Sequence, residues 1–370
     1  MDVRPAVWTV VRGKGGPVEL SLIFCQTLGK IDSQPERKGA EVVATLQSIA
    51  ARLGLDPSTV SRAFNEPHRV SERTRRRVAD VAEEMGYRPN GAARALATGK
   101  TNAIGVVIPD VANPVFPAFV KSAQTRAWRN GQTVLLADTD ESPPREREIV
   151  KRLIPQTDGL VLCSSRLPED ELAELAARAH LVLVNRSAPG VSSVLLDAAD
   201  GIRQAMDHLV ALGHRRIAYV AGPDHSWSTP ERRRLLGIQA ERLRVELVTV
   251  GPFAPTYEGG LGAAGFVRDS GATAVVAYND LLALGIQSAL ATMGIAVPDD
   301  MSVIGVDDIA MAAISTPALT TIRLAMGMAG EAAIRMMGQA LAGIETEPTT
   351  VTLATQLIVR SSTGHPPDLV

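Results

Sequence analysis

Residues 45–65 read TLQSIAARLGLDPSTVSRAFN, two short helical patterns around a glycine turn. Leu46, Ile49, Ala50 and Leu53 recur at i, i+3, i+4 and i+7, which sets one apolar stripe along a first helix. Gly54 ends it, because glycine enters the left-handed conformation at little cost. Asp56 suits the N-cap of a second helix, and Pro57 its first position, where a missing N–H leaves no bond unmade. That helix turns Val60 and Phe64 inward and Ser58, Thr59, Ser61 and Arg62 outward. The pattern is that of a helix-turn-helix, whose second helix lies in the DNA major groove. An ordinary αα-hairpin has the same local signature, so the flanking residues must separate the two.

Val70-Ser71-Glu72 opens a third helix, with Ser71 as N-cap and Glu72 favouring the helix dipole. Val78, Val81, Ala82 and Met85 form its apolar face, Gly86 ends it, and Tyr87-Arg88-Pro89-Asn90 blocks continuation. Gly91-Ala92-Ala93-Arg94-Ala95-Leu96 then leads to Thr98-Gly99-Lys100. In Thr59-Val60-Ser61-Arg62, Asn65, Val70-Ser71, Thr74-Arg75, Gly86-Tyr87, Pro89-Asn90 and Ala93-Arg94-Ala95-Leu96 the chain resembles the lactose-repressor (LacI/GalR) family of bacterial transcription regulators. The resemblance extends to about residue 360. It implies that Pro57, Ser58, Thr59, Ser61, Arg62, Asn65, Tyr87, Asn90, Ala93, Arg94 and Leu96 face DNA. It also implies that Asn90–Ala97 folds into a hinge helix on the operator, with Leu96 wedged into the minor groove.

Charge agrees with a DNA-facing head. Residues 42–100 hold ten Lys/Arg against six Asp/Glu, a balance of +4, whereas residues 101–370 carry −7. A basic head on an acidic body confines phosphate contact to one small domain. Hydrophobic content of 45% and charged content of 21% are those of a globular protein with a real core. No window approaches ~20 uninterrupted apolar residues, so no membrane span is expected. Cys25 and Cys163 make neither a disulfide framework nor a metal cluster, and the histidines form no His-Glu-x-x-His pattern. A cytoplasmic protein with no cofactor is expected. Residues 1–41 have no counterpart in the family. They read either as a poorly ordered extension or as upstream sequence included by a misassigned start.

From residue 101, β-rich runs alternate with helical stretches. Strands are predicted at Ile104–Ile108, Val134–Ala137, Gly159–Leu162, Leu181–Val184, Val194–Leu196, Ile217–Val220, Leu247–Val250, Ala274–Ala277 and Val303–Val306. The alternation argues for βαβ units, and the strands are too many for one sheet of usual size. Two doubly wound subdomains are expected, with a ligand at the strand carboxyl ends. The residues there are polar: Asp110, Asn185-Arg186, Asp197, Asn279-Asp280 and Asp307-Asp308.

Further matches to the family are Asp110-x-x-Asn113-Pro114-x-Phe116, Asp158-Gly159-Leu160, Gly213-His214-Arg215-Arg216-Ile217-Ala218, Gly222-Pro223, Arg234-x-x-Gly237, Asn279-Asp280, Gly305-Val306-Asp307-Asp308 and Pro317-x-Leu319-Thr320-Thr321-Ile322. They imply an α/β periplasmic-binding-protein-like core of two doubly wound subdomains joined by three crossovers, with an effector between them. The organisation read from the sequence is a helix-turn-helix domain over 42–88, a hinge over 89–101, a core over 102–362 and a tail over 363–370. Subdomain one spans about 102–195 and 326–350, and subdomain two about 196–323 and 351–362. Arg234, Asn279 and Asp307 match the family's polar effector contacts, with Asn185 a more variable one and Asp110 beside them at a strand end. Phe116 or Phe253 offers a ring to stack on a sugar face or a base. Guanidinium, amide and carboxylate together donate and accept, as a polyhydroxylated ligand requires. Asp307 favours neutral hydroxyls over a phosphate, so a neutral sugar or polyol is the expected effector.

Gly260-Leu261-Gly262-Ala263-Ala264-Gly265 fits the dinucleotide fingerprint but lacks its context. Pro252 and Pro255 separate it from the preceding strand, and Asp280 comes too early to hold a ribose. It is expected to lie in an Ala/Gly-rich helix after Thr256. No nucleophile elbow, P-loop or Ser-x-x-Lys arrangement appears, which argues against an enzyme. A periplasmic sugar-binding transport protein and a sugar-processing Rossmann enzyme are the rival readings; the head argues against the first, and DNA binding by residues 42–100 separates both. The expectation is a homodimeric repressor on a palindromic double-stranded operator. Arg360 is followed by ten residues with two prolines and no heptads, so no tail-made tetramer is expected.

Overall fold

The computed structural model describes residues 44–66, 69–87, 99–344 and 347–367. The chain divides into two compact units, one ending at Arg88 and the other beginning at Pro89. Asn90, Ala93, Arg94 and Leu96 lie outside the described residues, as does the whole of 1–41.

The first unit is three helices, α1 (Leu46–Leu53), α2 (Pro57–Asn65) and α3 (Glu72–Glu84). Their ends follow the local chemistry. The Thr45 hydroxyl accepts from Ser48 N and the Ser48 hydroxyl from Thr45 N, closing a capping box. Gly54 turns at φ 64°. Asp56 accepts from Ser58 N at 2.8 Å, and this bond with the Ser58 hydroxyl holds its carboxyl below the usual range. Ile49, Ala50, Val60, Ala63, Val78 and Ala82 make a small core, edged by Phe64 and Tyr87 with ring centroids 5.6 Å apart.

The second unit carries two six-stranded sheets. The first contains β1 (Ala103–Ile108), β2 (Thr133–Asp138), β3 (Gly159–Cys163), β4 (Leu181–Val184), β5 (Ser192–Asp197) and β11 (Thr350–Ala354), in the order β11-β5-β4-β3-β1-β2, all parallel. The second contains β6 (Arg216–Val220), β7 (Glu246–Val250), β8 (Ala274–Ala277), β9 (Ser302–Asp307), β10 (Thr320–Arg323) and β12 (Gln356–Ile358), in the order β12-β10-β9-β8-β6-β7. Only β12 runs antiparallel there. The central strands β1, β3, β4, β8 and β9 are buried at every position, as parallel strands covered on both faces must be. Edge strands β2, β7 and β11 alternate or are half-exposed.

All nine predicted strands are present. Three short ones escaped the sequence: β10 and β11 are threonine-rich and β12 has three residues. One boundary needs correction. β11 pairs with β5, so residues 350–354 belong to the first sheet and the last crossover falls at Thr355 rather than at 350/351. The chain passes between sheets three times: after β5 into α7 (Ala198–Leu212), between β10 and α12 (Met326–Leu341), and between β11 and β12. α12 packs on the first sheet and on α4 (Phe116–Arg129).

The glycine run over 260–265 lies inside α9 (Tyr257–Asp269), capped by Thr256. Its purpose is packing. A Cβ on Gly260 would meet Leu282 O at 2.2 Å and Gly285 Cα at 2.8 Å, so the glycines let α9 approach α10 (Asp280–Thr292). Residues 361–367 run along the second sheet: the Ser362 hydroxyl donates to Val303 O at 2.6 Å, and Gly364 N donates to the Ser302 hydroxyl at 3.0 Å. Two histidines are built into this face. His208 Nε2 lies 2.9 Å from the Thr363 hydroxyl, and His214 lies 2.8 Å from Thr273 Oγ1 and 2.9 Å from Ser302 Oγ.

Burial lowers the pKa of both histidines. The unfolded chain therefore takes up their protons first. Their contribution to stability is complete above about pH 6.5 and is lost as pH falls through the lowered folded values. Buried Asp280, raised to about 6 chiefly by desolvation, acts with the opposite sign in the same window. Thermal unfolding of native protein and of His214→Gln at pH 7.5 and 5.5 separates them. The variant should lose fewer degrees on acidification than the native chain; equal losses would mean that His214 contributes nothing to acid sensitivity.

Candidate functional site

The helix-turn-helix places its second helix, α2, with an exposed N-terminal half. Pro57, Ser58 and Arg62 are exposed, and Thr59, Ser61 and Asn65 are partly so. Asn65 Nδ2 donates to the Ser61 hydroxyl at 3.3 Å. Three arginines of this unit are held in ion pairs, Arg52 to Glu84, Arg69 to Glu66 and Arg76 to Glu72. Arg62 has no such carboxylate among the described residues, so its guanidinium is available to a base edge or a phosphate. Tyr87 is different: its ring packs on Phe64 and its N–H donates to Ala82 O, so the aromatic body supports the head core.

In the second unit, a polar cavity of about 40 Å³ lies where the strand ends of the two sheets face each other. Of the residues singled out in the sequence, Phe116, Asn185, Asn279 and Asp307 line it. Phe116 opens α4 and is buried. Asn279 caps α10, accepting from Leu282 N at 3.0 Å, and its amide donates to Pro255 O at 2.9 Å. Asn185 bridges the two sides, donating to Ser164 Oγ at 3.0 Å and Ser228 Oγ at 3.4 Å.

Three expected effector contacts fall elsewhere. Arg234 is 57% exposed and pairs with Glu231 at 2.7 Å. The buried face of α8 (Ser228–Leu243) runs through Ser228, Thr229, Arg232, Leu235 and Leu236. Two residues advance a helix by about 200°, so Arg234 points away when Arg232 points in. The Arg-x-x-Gly spacing pointed to an arginine outside the cavity wall, and Gly237 faces open space. Arg232 takes the cleft position: its NH1 donates to Tyr278 O, and its Cζ sits 4.6 Å from the centre of the Tyr278 ring. Gly222 makes room for that ring, since a Cβ there would come within 2.5 Å of it. Phe253 lies outside the cavity wall and pairs with Phe266 at 5.8 Å. Asp110 closes a turn, accepting from Ala112 N at 2.8 Å, and is not in the wall either.

The sequence also missed Glu141, Ser164 and Arg166. Arg166 is buried and grips Glu141 through two bonds of 2.7 and 2.9 Å. Both follow strand carboxyl ends, β3 and β2, and that position was the available signal. Their backbones add a second one that only coordinates reveal. Glu141, Ser164, Asn185 and Asp307 have φ of 55°, 51°, 53° and 131°, all in the left-handed region that non-glycine residues avoid. Such conformations cost of order 1–3 kcal/mol each and gather at ligand sites.

The electrostatics are those of a buried, crowded site. Burial pushes the Asp307 carboxyl well above its usual range; neighbouring Asp280 raises it further and Arg232 opposes the shift. Asp280 is a structural partner, its oxygens accepting from the Thr321 hydroxyl at 2.5 Å and Ile309 N at 2.9 Å. Glu146, raised by burial, accepts from Ser165 Oγ and Arg166 N behind the cavity. Among the described residues no His/Cys/Asp/Glu group has the arrangement of a metal site, and no helix is long and apolar enough to cross a membrane.

Comparison with known proteins accounts for both units. Residues 45–90 match the family described as bacterial regulatory proteins, lacI family, and residues 206–363 match a periplasmic binding protein-like domain. The HTH-type transcriptional regulator GalS of Salmonella typhimurium is 35% identical over 307 residues, covering 81% of this chain and 90% of that protein. The lac repressor dimer bound to operator and the anti-inducer ONPF superposes with a TM-score of 0.79 at 27% identity, covering 87% of this chain and 99% of that one. The transcriptional regulator CelR–cellobiose complex superposes at 0.65 and 28% identity, covering 86% and 99%. With a helix-turn-helix head, two parallel sheets around a polar cleft and relatives matched over nearly their full length, the chain belongs to the LacI/GalR family of DNA-binding transcriptional regulators, which are not enzymes.

Proposed function

We propose that this protein is a homodimeric repressor whose two heads read the halves of a palindromic operator, and that a neutral sugar or polyol in the core cleft sets its hold on DNA. The observation that carries the ligand reading is the convergence of Asn185, Arg232, Asn279 and Asp307 with the Phe116 and Tyr278 rings on one cavity. Amide, guanidinium and carboxyl groups supply both donors and acceptors, and aromatic faces suit the C–H face of a sugar. The lac repressor bound to operator and CelR bound to cellobiose support the same pairing of partners. Effector binding shifts the angle between the sheets and so the DNA-competent population. DNA selection with the purified chain, followed by binding titrations with and without sugars that raise its melting temperature, tests the whole reading. Failure of every stabilising sugar to change operator affinity would refute it.

Arg62 reads a base edge, guanine by its bidentate geometry. Arg62→Ala should cost about 1–3 kcal/mol on the selected operator and far less on random DNA at fixed salt. An equal loss on both would reduce Arg62 to a phosphate contact.

The cleft geometry distinguishes two neighbouring arginines. Asp307→Ala and Arg232→Ala should each weaken effector binding by about 1–3 kcal/mol, as unpaired buried partners do. Arg234→Ala should leave it unchanged. Calorimetry showing the reverse order for the arginines would overturn the assignment.

Residues 361–367 are held against the second sheet instead of forming a helix that could recruit further subunits. The 370-residue chain should sediment as a dimer over micromolar concentrations. A tetramer that dissociates when residues 362–370 are removed would contradict this.

A further inference from the structure

Three acidic side chains gather around the last residues of β9, and they are unequally supplied with donors. Asp280 is fully buried against the strand, so close that a Cβ on Gly305 would lie 2.1 Å from its Oδ1. It accepts from the Thr321 hydroxyl at 2.5 Å and from Ile309 N at 2.9 Å. Asp308 accepts from Arg323 at 2.6 Å and from Arg360 at 2.5 Å. Asp307, buried in the cavity wall, accepts no hydrogen bond at its carboxyl oxygens from the described residues. The two cations of that wall are committed elsewhere. Arg232 donates to Tyr278 O and lies over the Tyr278 ring, whose hydroxyl bonds Ser226. Arg166, on the opposite wall, is gripped by Glu141. Asp307 therefore feels the repulsion of Asp280 and the loss of water, opposed by Arg232 without a direct bond. When two carboxyls are buried near each other, the one without donors is the one that keeps a proton.

We propose that Asp307 is a neutral carboxylic acid in the free protein and gives up its proton when the effector binds, so that effector affinity rises with pH. The inference rests on the sugar reading of the polar cleft and adds the regulation of that site. Two neighbouring hydroxyls of a sugar or polyol donate to the two carboxylate oxygens, and such bonds favour the charged form. On binding, the Asp307 O–H bond breaks, its proton passes to solvent, and the ligand hydroxyls keep theirs. The complex then holds one proton fewer than the free protein. Affinity therefore rises by up to about tenfold per pH unit until the free carboxyl is itself ionised, and is level above that. Acidification lowers effector occupancy at a fixed sugar concentration, and with it the response on DNA.

The test uses the full-length protein and a panel of hexoses, pentoses and polyols, screened by thermal shift. Calorimetry of each binder in two buffers of different ionisation enthalpy then counts the protons exchanged. Release should approach about one proton per site in acid and vanish in alkali, while affinity climbs with pH as above. Asp307→Asn has no proton to lose; it should bind more weakly, release none and show a flat pH profile. Asp280→Asn removes the neighbouring charge and should move the profile to lower pH. If these variants do not fold, infrared difference spectra of the native protein serve instead: the carbonyl band of a protonated carboxyl should disappear on adding the sugar. Proton uptake, no exchange of protons, or release that survives Asp307→Asn overturns the linkage while leaving the sugar reading intact. Absence of any binder in the panel refutes the sugar reading and the linkage with it.

Discussion

The core is organised around one buried hydroxyl. Thr355, at the last crossover, donates to Asp197 O and accepts from Gly201 N at 3.0 Å, both at the first crossover. Gly201 has no side chain because a Cβ there would strike Ile322, at the second crossover, at 2.5 Å and the Thr355 hydroxyl at 2.6 Å. All three connections between the sheets are therefore pinned within a few ångströms. A buried hydroxyl with both partners present is stable, and removing either leaves a costly orphan. Asp197 and Ile322 of this knot also line a cavity of about 150 Å³ that adjoins the polar cleft.

The cleft is assembled at an energetic cost. Four wall residues occupy left-handed backbone, and two carboxyls, Asp280 and Asp307, are buried near each other. The cost is offset by the surrounding lattice of bonds. Asp280 is satisfied by Thr321 and Ile309, Glu141 by Arg166, and Glu146 by Ser165 and Arg166. Gly305 gives Asp280 its space, since a Cβ would lie 2.1 Å from its Oδ1. Parallel strands on both sides hold these groups in place.

Much of this was legible in the chain. Helix ends in the head followed from Gly54, Asp56, Pro57 and Ser71, since capping is a local matter of a few adjacent groups. Nine strands followed from continuous apolar runs. Asn185, Asn279, Asp307 and Phe116 were found because each ends a strand or opens a helix at the expected edge. The arginine of the cavity wall was not, because a motif spacing carries no information on helical phase. Arg232 and Arg234 differ only in which one shares a face with Leu235 and Leu236. Strands β10–β12 were also hidden, because segments this short become strands only by pairing with a neighbour already in place.

The sequence by itself determined the helix-turn-helix, the alternation of strand and helix, the division into a basic head and an acidic body, and the family. Those properties depend on periodicity, caps and charge, which act over a few residues or add along the chain. Tertiary structure alone decided which arginine enters the cleft, that residues 350–354 join the first sheet, and that Glu141 and Arg166 complete the wall. It also decided that an apolar chamber adjoins the polar cavity. Each of these depends on residues far apart in the chain meeting in one place, and neither spacing nor composition encodes that meeting.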